Sequence, residues 1–349
     1  MDRIDFRSDT VSWPTPTMRQ AMAQATLGDD VYGEDPTVNK LEEMAATLVG
    51  KEAGLFVTSG TMGNLTGILT HADRGDEAIV GQDSHTYLHE AGGMAALGGV
   101  VPHPLPTDRS GRMNIHEVAA AVREDDPHYP RSRLILLENS YGSAGGYPIP
   151  PDYFANMREV ANQHNLKIHL DGARLFNAAV ALNVDARQIT ADVNSVSFCL
   201  SKGLCAPVGS ILCGSHDFIY QARRIRKSLG GGMRQAGILA AAGIVSLSEM
   251  IERLAEDHAH AHMLAAGLAQ IPGIKCDVDK VKTNMVFFNF NPGIRLTADQ
   301  FATQLRQQSN IWLGPVGPRH FRAVTHYWIG QSEVEQLLKA VAIIMDKYR

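Results

Sequence analysis

Short apolar runs alternate with longer helical patterns along most of the 349 residues of the chain. Each run is apolar on both faces and ends in polar residues or glycine, which is typical of buried parallel β-strands. Six such runs occur, at 53–57, 77–81, 133–139, 167–171, 195–200 and 209–214. This alternation predicts α/β layers, with helices on both faces of a mostly parallel sheet. In such sheets the ligand-binding residues gather at the carboxyl ends of the strands.

The pattern changes near Ser246. A long helical stretch begins there, followed by a shorter alternation of strands and helices and by a closing helix. No linker rich in serine, proline or charge separates the two parts, which favours rigid packing. The sequence therefore predicts a large domain over residues 1–245 and a smaller α+β domain over residues 246–349. Whether the N-terminal segment 1–15 packs elsewhere is left open.

Composition excludes several classes of protein. The net charge of −5 comes without a basic stripe, so we expect no nucleic-acid partner. No apolar run approaches the roughly 20 residues of a membrane helix, and the charged start does not resemble a signal peptide. The four cysteines show no CxxC spacing, so neither a zinc cage nor a disulfide framework is expected. We therefore expect a cytoplasmic protein with a small-molecule substrate and no membrane partner.

A lysine follows the apolar run at 195–200. Lys202 stands between two apolar strands, after Ser201 and before Gly203. Most lysines lie in solvated loops. An amine held between buried segments is instead partly desolvated and becomes a nucleophile toward a carbonyl group. Both interpretations of Lys202 are open at this point.

A carboxylate ends the apolar run at 167–171, where an unpaired charge is costly. Asp171 fits a helix N-cap with Arg174 as its ion-pair partner. It also fits a group that keeps a pyridinium nitrogen protonated, as a pyridoxal cofactor needs in order to act as an electron sink. Asp171 and Lys202 both follow strands and are 202 − 171 = 31 residues apart, and together they favour the second interpretation.

A glycine-containing turn, FVTSGTMGNLTG, follows the first predicted strand and opens a helix. Backbone amides near Gly60 and Thr61 are placed to bind a phosphate at a helix N-terminus. An ordinary strand-to-helix connection has the same pattern. The turn matches neither the GxGxxG fingerprint nor the GxxxxGK[ST] loop, which argues against a nicotinamide or ATP enzyme.

Several longer segments resemble the L-threonine aldolases. They are DFRSDTVSWPT, GDDVYGEDPTVNKLE, TSGTMGNL, HLDGARLFNA, CLSKGLCAPVGS and RKSLGGGMRQAG, and the likeness covers essentially residues 1–330. The resemblance implies the pyridoxal-phosphate-dependent aspartate aminotransferase fold, with a mostly parallel sheet of the seven-stranded type, in the group that includes the β-eliminating lyases. It also implies cleavage of a β-hydroxy-α-amino acid to glycine and an aldehyde, with pyridoxal 5'-phosphate as cofactor.

The resemblance implies roles for individual residues at the cofactor. Lys202 would form a Schiff base with the cofactor, and Asp171 would bond its ring nitrogen. Gly60 and Thr61 would hold its phosphate. His85, in DSHTYLHEAGG, would stack on its ring; without the resemblance it is equally a satisfied loop histidine. Lys227 and Arg234 would reach in from a neighbouring subunit, which implies a homodimer or homotetramer with shared sites.

The resemblance also implies residues that contact the substrate. Ser8, Arg174 and Arg322 would bind its carboxylate, the arginines through the bidentate fork that lysine cannot reproduce. His128, in EDDPHYP, matches a family histidine near the substrate hydroxyl, although the sequence alone is equally consistent with a surface residue. His85, His128 or a water held between them would take the β-hydroxyl proton, and the sequence does not choose among them.

One segment departs from the family pattern. Threonine aldolases typically read ENTHN where this chain reads ENSYG, so that Ser140, Tyr141 and Gly142 replace Thr, His and Asn. The segment follows a predicted strand and is expected near the site. The change keeps open a different β-substituent, or β-elimination on the same cofactor to give ammonia and a keto acid. A non-catalytic protein that retains the fold is disfavoured by the joint presence of Lys202, Asp171 and the phosphate turn.

A pair of histidines on the long helical stretch is not expected to bind a metal. His258 and His262 have the i, i+4 spacing that can bind a metal on a helix. No glutamate follows His258 in an HExxH arrangement, and the helix is expected to be solvated. We therefore expect no metal.

Overall fold

A computed structural model describes residues 3–348 of the chain. Its thirteen strands are β1 (Ile4–Asp5), β2 (Ala53–Val57), β3 (Glu77–Gly81), β4 (Val101–Leu105), β5 (Ser132–Glu138), β6 (Lys167–Asp171), β7 (Ser195–Cys199), β8 (Ser210–Gly214), β9 (Ile274–Cys276), β10 (Met285–Phe290), β11 (Ile311–Trp312), β12 (Gly314–Gly317) and β13 (His320–Val324).

The same residues form fourteen α-helices and four short 3-10 helices. The α-helices are α1 (Pro16–Ala23), α2 (Pro36–Leu48), α3 (Gly60–His71), α4 (His85–Leu88), α5 (Gly93–Ala96), α6 (Ile115–Ala121), α7 (Pro151–Gln163), α8 (Leu175–Leu182), α9 (Ala186–Thr190), α10 (His216–Ser228), α11 (Gly237–Glu249), α12 (Leu254–Ala269), α13 (Ala298–Ser309) and α14 (Gln331–Met345). The 3-10 helices are Asp9–Val11, Asp30–Tyr32, Val278–Lys280 and Asp346–Tyr348.

The chain divides into two compact units, Pro14–Ile251 and Met1–Trp13 with Glu252–Arg349. The sequence-based boundary at 245/246 precedes this division by six residues. The short segment before Pro14 groups with the C-terminal part of the chain rather than with the large unit.

The large unit is built on a seven-stranded sheet in the order β2-β8-β7-β6-β5-β3-β4. β8 is antiparallel to both of its neighbours, β2 and β7, and the remaining pairs are parallel. Six strands therefore run in one direction and β8 in the other. This mostly parallel sheet confirms the predicted fold class.

The six apolar runs found in the sequence are all strands of this sheet, and β4 is the strand that the pattern missed. Its sequence, VPHPL, contains two prolines, and it lies at the edge of the sheet next to β3. Proline cannot donate to a sheet hydrogen bond, so it is tolerated only where one side of a strand is unpaired. The edge position explains why this strand carries no signal of a buried strand.

Glycines let helix α3 approach the sheet closely. A Cβ built on Gly67 would lie 2.7 Å from Cε1 of His169 on β6, and one built on Gly63 would lie 3.2 Å from Cβ of Ser197 on β7. A larger residue at Gly67 would force the helix away from the sheet. The close approach holds the N-terminal part of α3 beside the strands that carry the candidate site.

The smaller unit has a four-stranded antiparallel sheet in the order β12-β13-β10-β9. Its mainly aliphatic core contains a group of phenylalanines: the rings of Phe288 and Phe321 stack 4.8 Å apart, and Phe290 meets Phe301 edge-on at 5.3 Å. β1 pairs in parallel with β11, which fixes the N-terminal segment within this unit.

Among residues 3–348, no helix combines the length and the apolar character needed to cross a membrane.

Candidate active site

Loops from five strands meet at the carboxyl edge of the large sheet. Because β2, β3, β5, β6 and β7 run in the same direction, the segments that follow them share one edge. The site residues predicted on these segments are Gly60 and Thr61 after β2, His85 after β3, Asp171 and Arg174 at the end of β6, and Lys202 after β7. The topology therefore brings these six residues to one edge, as the strand-end rule predicts.

Asp171 is a buried carboxylate at the end of β6 and is 2% exposed. Its Oδ2 accepts a hydrogen bond of 2.8 Å from Nδ2 of Asn64, and its Oδ1 accepts one of 3.0 Å from the backbone N–H of Ala173. The second bond is a local turn contact of the kind expected from an aspartate after a strand. Both carboxylate oxygens are thus held in fixed positions.

His85 begins α4, and Nδ1 of its ring lies 3.0 Å from Oε1 of Glu90. The bond to Glu90 raises the pKa of His85, an effect opposed by burial and by the positive charge of Lys202. Burial raises the pKa of the Glu90 carboxyl, while the bond to His85 works against that rise. The side chain of His85 is 42% exposed and that of Glu90 only 5%, so a partly exposed ring is bound at Nδ1 by a buried carboxyl group.

Glu138 at the end of β5 is a third buried carboxyl group of the site. Its two oxygens accept hydrogen bonds of 2.8 Å from the backbone N–H groups of His85 and Gly142. Burial, reinforced by the charge of Asp171 on the neighbouring strand, raises the pKa of Glu138 to about 7. This side chain therefore fixes the start of α4 and the loop after β5 relative to each other.

The N-terminus of α3 supplies backbone donors. Ser59 caps the helix, its Oγ accepting from the N–H of Met62 at 3.1 Å. Gly60 and Thr61 are the first two helical residues, so their N–H groups have no partner inside the helix. The loop after α10 lies beside them, since a Cβ built on Gly231 would come within 2.3 Å of Sδ of Met62. This helix end suits an anion such as a phosphate.

Three predicted residues of the large unit lie at the ends of helices or in the loop after one of them. Arg174 is the N-cap residue of α8, three residues after Asp171. Lys227 is in the last turn of α10, and Arg234 lies in the loop that follows, where its Nη1 donates to Oδ2 of Asp29 of the same chain at 2.9 Å. Whether Lys227 and Arg234 also serve a neighbouring subunit stays a prediction.

His128 lies at the opposite edge of the sheet from Asp171. It is in the loop before β5, with an 85% exposed side chain whose Nδ1 is 2.6 Å from Oδ1 of Asp126. The same loop is bound to the amino end of β3, where Arg123 donates to the carboxylate of Glu77. Within its own chain His128 is thus not brought to the cluster of Asp171 and His85.

Ser8 and Arg322 belong to the smaller unit. The Oγ of Ser8 caps the first short 3-10 helix by accepting from the N–H of Thr10 at 3.2 Å. Arg322 lies on β13, and its Nη2 donates to the backbone oxygen of Arg7 at 3.4 Å. This contact places two of the three predicted substrate-binding residues on neighbouring segments of one unit.

In the segment ENSYG, which differs from the family pattern, the tyrosine side chain lies in the protein interior. Tyr141 is 2% exposed and pairs through its backbone with Tyr147. Its ring lies directly against Gly111, where a built Cβ would be 2.0 Å from Cγ of the tyrosine. Gly142 donates its N–H to Glu138. The replacement of the family histidine by tyrosine therefore fills a core position next to the site.

Sequence reasoning missed three residues of the site: Asn64, Glu90 and Glu138. Glu138 ends an apolar strand as Asp171 does, so the same rule applied to β5 would have found it. Asn64 is a polar residue on the sheet-facing side of α3 and is 1% exposed. The signal there is a buried amide among glycines and leucines. For Glu90, which lies in a loop without periodicity, the sequence offers no comparable signal.

The cluster also bears on metal binding. The ligand atoms of His85, Glu90 and Asp171 lie within 4.8 Å of one another. However, Nδ2 of Asn64 donates to both carboxylates, so a hydrogen-bond donor occupies the position between them that a cation would need.

The other histidine weighed for metal binding is His258 on α12. It is buried, whereas we expected a solvated helix, and burial lowers its pKa to about 4.

The donor set fits pyridoxal phosphate. A buried carboxylate matches a protonated ring nitrogen, the amine of Lys202 matches an aldehyde, and the helix N-terminus at Gly60 and Thr61 matches a phosphate. The half-exposed ring of His85 offers a flat surface beside Asp171. Each group that the cofactor needs is thus present at one sheet edge.

Comparison with known proteins agrees with this chemistry. The family described as beta-eliminating lyase matches residues 5–291. The low-specificity L-threonine aldolase 1 of Arabidopsis thaliana is 45% identical over 341 residues, covering 97% of this chain and 95% of that protein. The low specificity L-threonine aldolase of Escherichia coli K12 is 47% identical over 284 residues, covering 81% of this chain and 84% of that one.

A solved structure shows the same fold at low sequence identity. The threonine aldolase of Leishmania major superposes with a TM-score of 0.81 and 19% identity, covering 98% of this chain and 99% of that one. Its fold is that of the pyridoxal-phosphate-dependent enzymes of the aspartate aminotransferase type. The chain is a lyase, and it belongs to the beta-eliminating lyase family, together with the low-specificity L-threonine aldolases that it resembles over nearly its whole length.

Proposed function

We propose that this enzyme cleaves L-threonine, L-allo-threonine and related β-hydroxy-α-amino acids to glycine and an aldehyde, with pyridoxal 5'-phosphate as its cofactor. The observation that carries the proposal is the shared sheet edge, where Asp171, Lys202, His85 and the N-terminus of α3 converge. The relatives named L-threonine aldolase supply the substrate class.

The residues of this chain hold the cofactor at four points. When bound, pyridoxal phosphate supplies an electron sink for the negative charge that remains at Cα once the Cα–Cβ bond breaks. Asp171 would bond the ring nitrogen with a carboxylate already fixed by Asn64. Lys202 would bond the aldehyde group, and Gly60 and Thr61 would bind the phosphate through their N–H groups.

The substrate is oriented by its carboxylate and loses a proton from its β-hydroxyl. Ser8, Arg174 and Arg322 bind the carboxylate, the arginines by paired hydrogen bonds. His85 takes the hydroxyl proton, because the Glu90 bond moves its pKa upward from the ordinary histidine value and so toward neutral pH. We propose that His128 would act on this proton only from a neighbouring subunit, because within its own chain it lies at the amino ends of the strands.

The proposal implies an assembly with shared sites. Lys227 and Arg234 complete the phosphate site of a partner subunit in a homodimer or homotetramer, and the enzyme works in the cytoplasm. The bond between Arg234 and Asp29 leaves most of the arginine exposed, with 55% of its side chain accessible. That exposure leaves the guanidinium available to a second chain.

Replacing the nucleophilic lysine tests the proposal. The Lys202→Ala variant should lose all cleavage of L-threonine and should change the visible absorption of the bound cofactor, because Lys202 is the amine proposed to bond its aldehyde. The matched control is Lys167→Ala, an exposed lysine at the start of β6, which should behave as the wild type. A Lys202→Ala protein that keeps most of its activity would exclude this role for Lys202.

The second candidate function is β-elimination with release of ammonia and a keto acid. Two observations favour it: the family description itself and the ENSYG segment that replaces the aldolase pattern. Because both reactions use the same fold and lysine, products separate them. Glycine and an aldehyde indicate the aldolase, whereas ammonia and oxobutyrate indicate elimination.

A further inference from the structure

One buried amide lies between two carboxyl groups of the site. Nδ2 of Asn64 donates to Oε1 of Glu90 and to Oδ2 of Asp171, each at 2.8 Å. Both N–H bonds of the amide are thereby used. On the other side, Oδ1 accepts a hydrogen bond of 2.5 Å from Oγ of Ser197 on β7. The amide therefore connects helix α3 to β6, β7 and the loop after β3.

The orientation of this amide is determined by its neighbours. Two carboxyl oxygens accept on one side, so the NH₂ group must face them. On the other side Nε2 of His169 also lies 3.2 Å from the amide oxygen. Burial lowers the pKa of His169 to about 4, so this histidine is neutral and donates from one nitrogen only. A flipped amide would set its oxygen against the oxygens of Glu90 and Asp171, so that acceptors would face acceptors.

The amide fixes Glu90, and Glu90 in turn constrains His85. A single oxygen of Glu90, Oε1, is shared between Asn64 and Nδ1 of His85, at 2.8 and 3.0 Å. This oxygen already accepts from Asn64, and an ionised carboxylate only accepts hydrogen bonds, so Nδ1 of His85 carries a proton whenever Glu90 is ionised. A neutral imidazole has one N–H, which leaves the lone pair on Nε2.

We propose that Asn64 and Glu90 are positioning residues that hold His85 in the tautomer protonated at Nδ1, so that Nε2 is the atom that accepts a proton. The last step, that the proton comes from the substrate hydroxyl, rests on the proposed function. Asn64 acts through Glu90 and touches neither substrate nor cofactor in this scheme. Such indirect contacts commonly change activity by about 10- to 100-fold.

The charged and titratable groups around His85 are few. Glu90 and Asp171 raise its pKa and Lys202 lowers it. Glu138 faces the same residue through its bond to the backbone N–H of His85. The ring of His89 lies 5.6 Å from that of His85, tilted by 56°. Glu90 makes the only direct side-chain bond to the His85 ring among the described residues, so it is the group expected to decide the tautomer.

The tautomer can be measured by two-bond ¹H–¹⁵N NMR on cofactor-loaded protein labelled in histidine, with His85 assigned from a His85→Gln spectrum. The wild type is expected to show His85 protonated at Nδ1. In Asn64→Leu and Glu90→Leu, protonation should move to Nε2 in a large fraction of molecules, and the pKa of His85 should fall. Glu90→Gln keeps the shape of the site and should show the lower pKa even if the leucine variants fold poorly.

Thr66→Val is the matched control. Thr66 lies on α3 two residues after Asn64, and its buried hydroxyl has no hydrogen-bond partner in the described structure. Removing it should leave the His85 tautomer unchanged. A wild type protonated at Nε2, or a tautomer insensitive to both leucine substitutions, overturns the proposal.

Kinetics supply an independent readout. For cleavage of L-allo-threonine, Asn64→Leu and Glu90→Gln should lower kcat by about 10- to 100-fold with little change in KM, because proton transfer and not binding is impaired. The acidic limb of the pH profile should move to lower pH in Glu90→Gln. If the wild type makes no glycine, the proposed function fails, while the NMR result still decides the tautomer.

Discussion

At the scale of single residues, the site is unusual in placing buried carboxyl groups side by side on neighbouring strands. Glu138 and Asp171 are paired in the parallel register of β5 and β6. Because the two carboxyl groups are buried next to each other, ionising both of them carries a high free-energy cost. Burial and the charge of Asp171 raise the pKa of Glu138 to about 7.

The raised pKa predicts a pH-dependent effect on stability. A carboxyl group with a higher pKa in the folded than in the unfolded state contributes stability that is complete below its ordinary pKa and is lost as pH rises through about 7. The glutamine side chain of Glu138→Gln stays neutral at every pH. The free energy of unfolding of this variant should therefore rise relative to that of the wild type between pH 5 and pH 8. The expected gain is on the order of 3 kcal/mol, measured by urea unfolding at both pH values.

The control for this prediction is Glu124→Gln, an exposed residue in the loop before β5. Its stability difference from the wild type should not change with pH. If the difference in free energy of unfolding between Glu138→Gln and the wild type is equally independent of pH, Glu138 is already ionised at pH 5 in the folded protein.

At the scale of elements, the loop after β5 packs against the hairpin-like segment Thr107–Met113, where the ring of Tyr141 contacts Gly111. Thr107 and Met113 form an antiparallel bridge, and Gly111 between them has a φ of +87°. The ring of Tyr141 occupies the space beside Gly111. The tyrosine that replaces the family histidine therefore needs a glycine opposite it.

A double-mutant cycle tests this pairing. Gly111→Ala should lower the free energy of unfolding by about 2–4 kcal/mol, since its Cβ would overlap the tyrosine ring and alanine is strained at positive φ. In the Tyr141→Ala background the overlap is gone, and only the strain of about 1 kcal/mol should remain. Equal costs in both backgrounds, measured by denaturant unfolding, would show that the ring and the glycine are not coupled.

The sequence predicted the elements better than the connections between side chains. Buried strands such as β6 carry a local signal, a short run of apolar residues, and the strand-end rule then located Asp171. Glu90 has its role only because α3 brings Asn64 beside it, and that contact spans 26 residues of sequence. Contacts of this kind depend on tertiary packing, which local patterns do not encode.

At the scale of the whole molecule, the central question is whether one chain contains a complete site. Lys227 and Arg234 are predicted to act in a partner's site, and the resemblance that suggested them also suggested a homodimer or homotetramer. Closed symmetric assemblies repeat the same interface, so each chain would give its arginine to one site and receive one in return.

Subunit complementation distinguishes shared from separate sites. Lys202→Ala and Arg234→Ala should each be nearly inactive alone. After mixing, dissociation and reassembly, hybrid dimers contain one site with both native residues, so activity should return to about a quarter of the wild type. If Arg234 serves its own chain, no hybrid contains an intact site and activity stays at the level of the single variants.

The most direct test of the account is product analysis by NMR after the cofactor-loaded enzyme is mixed with L-threonine or L-allo-threonine. The account predicts glycine and acetaldehyde in equal amounts from at least one of the two substrates, with no ammonia. Oxobutyrate and ammonia in place of glycine would contradict it and would assign the chain to the eliminating enzymes of its family.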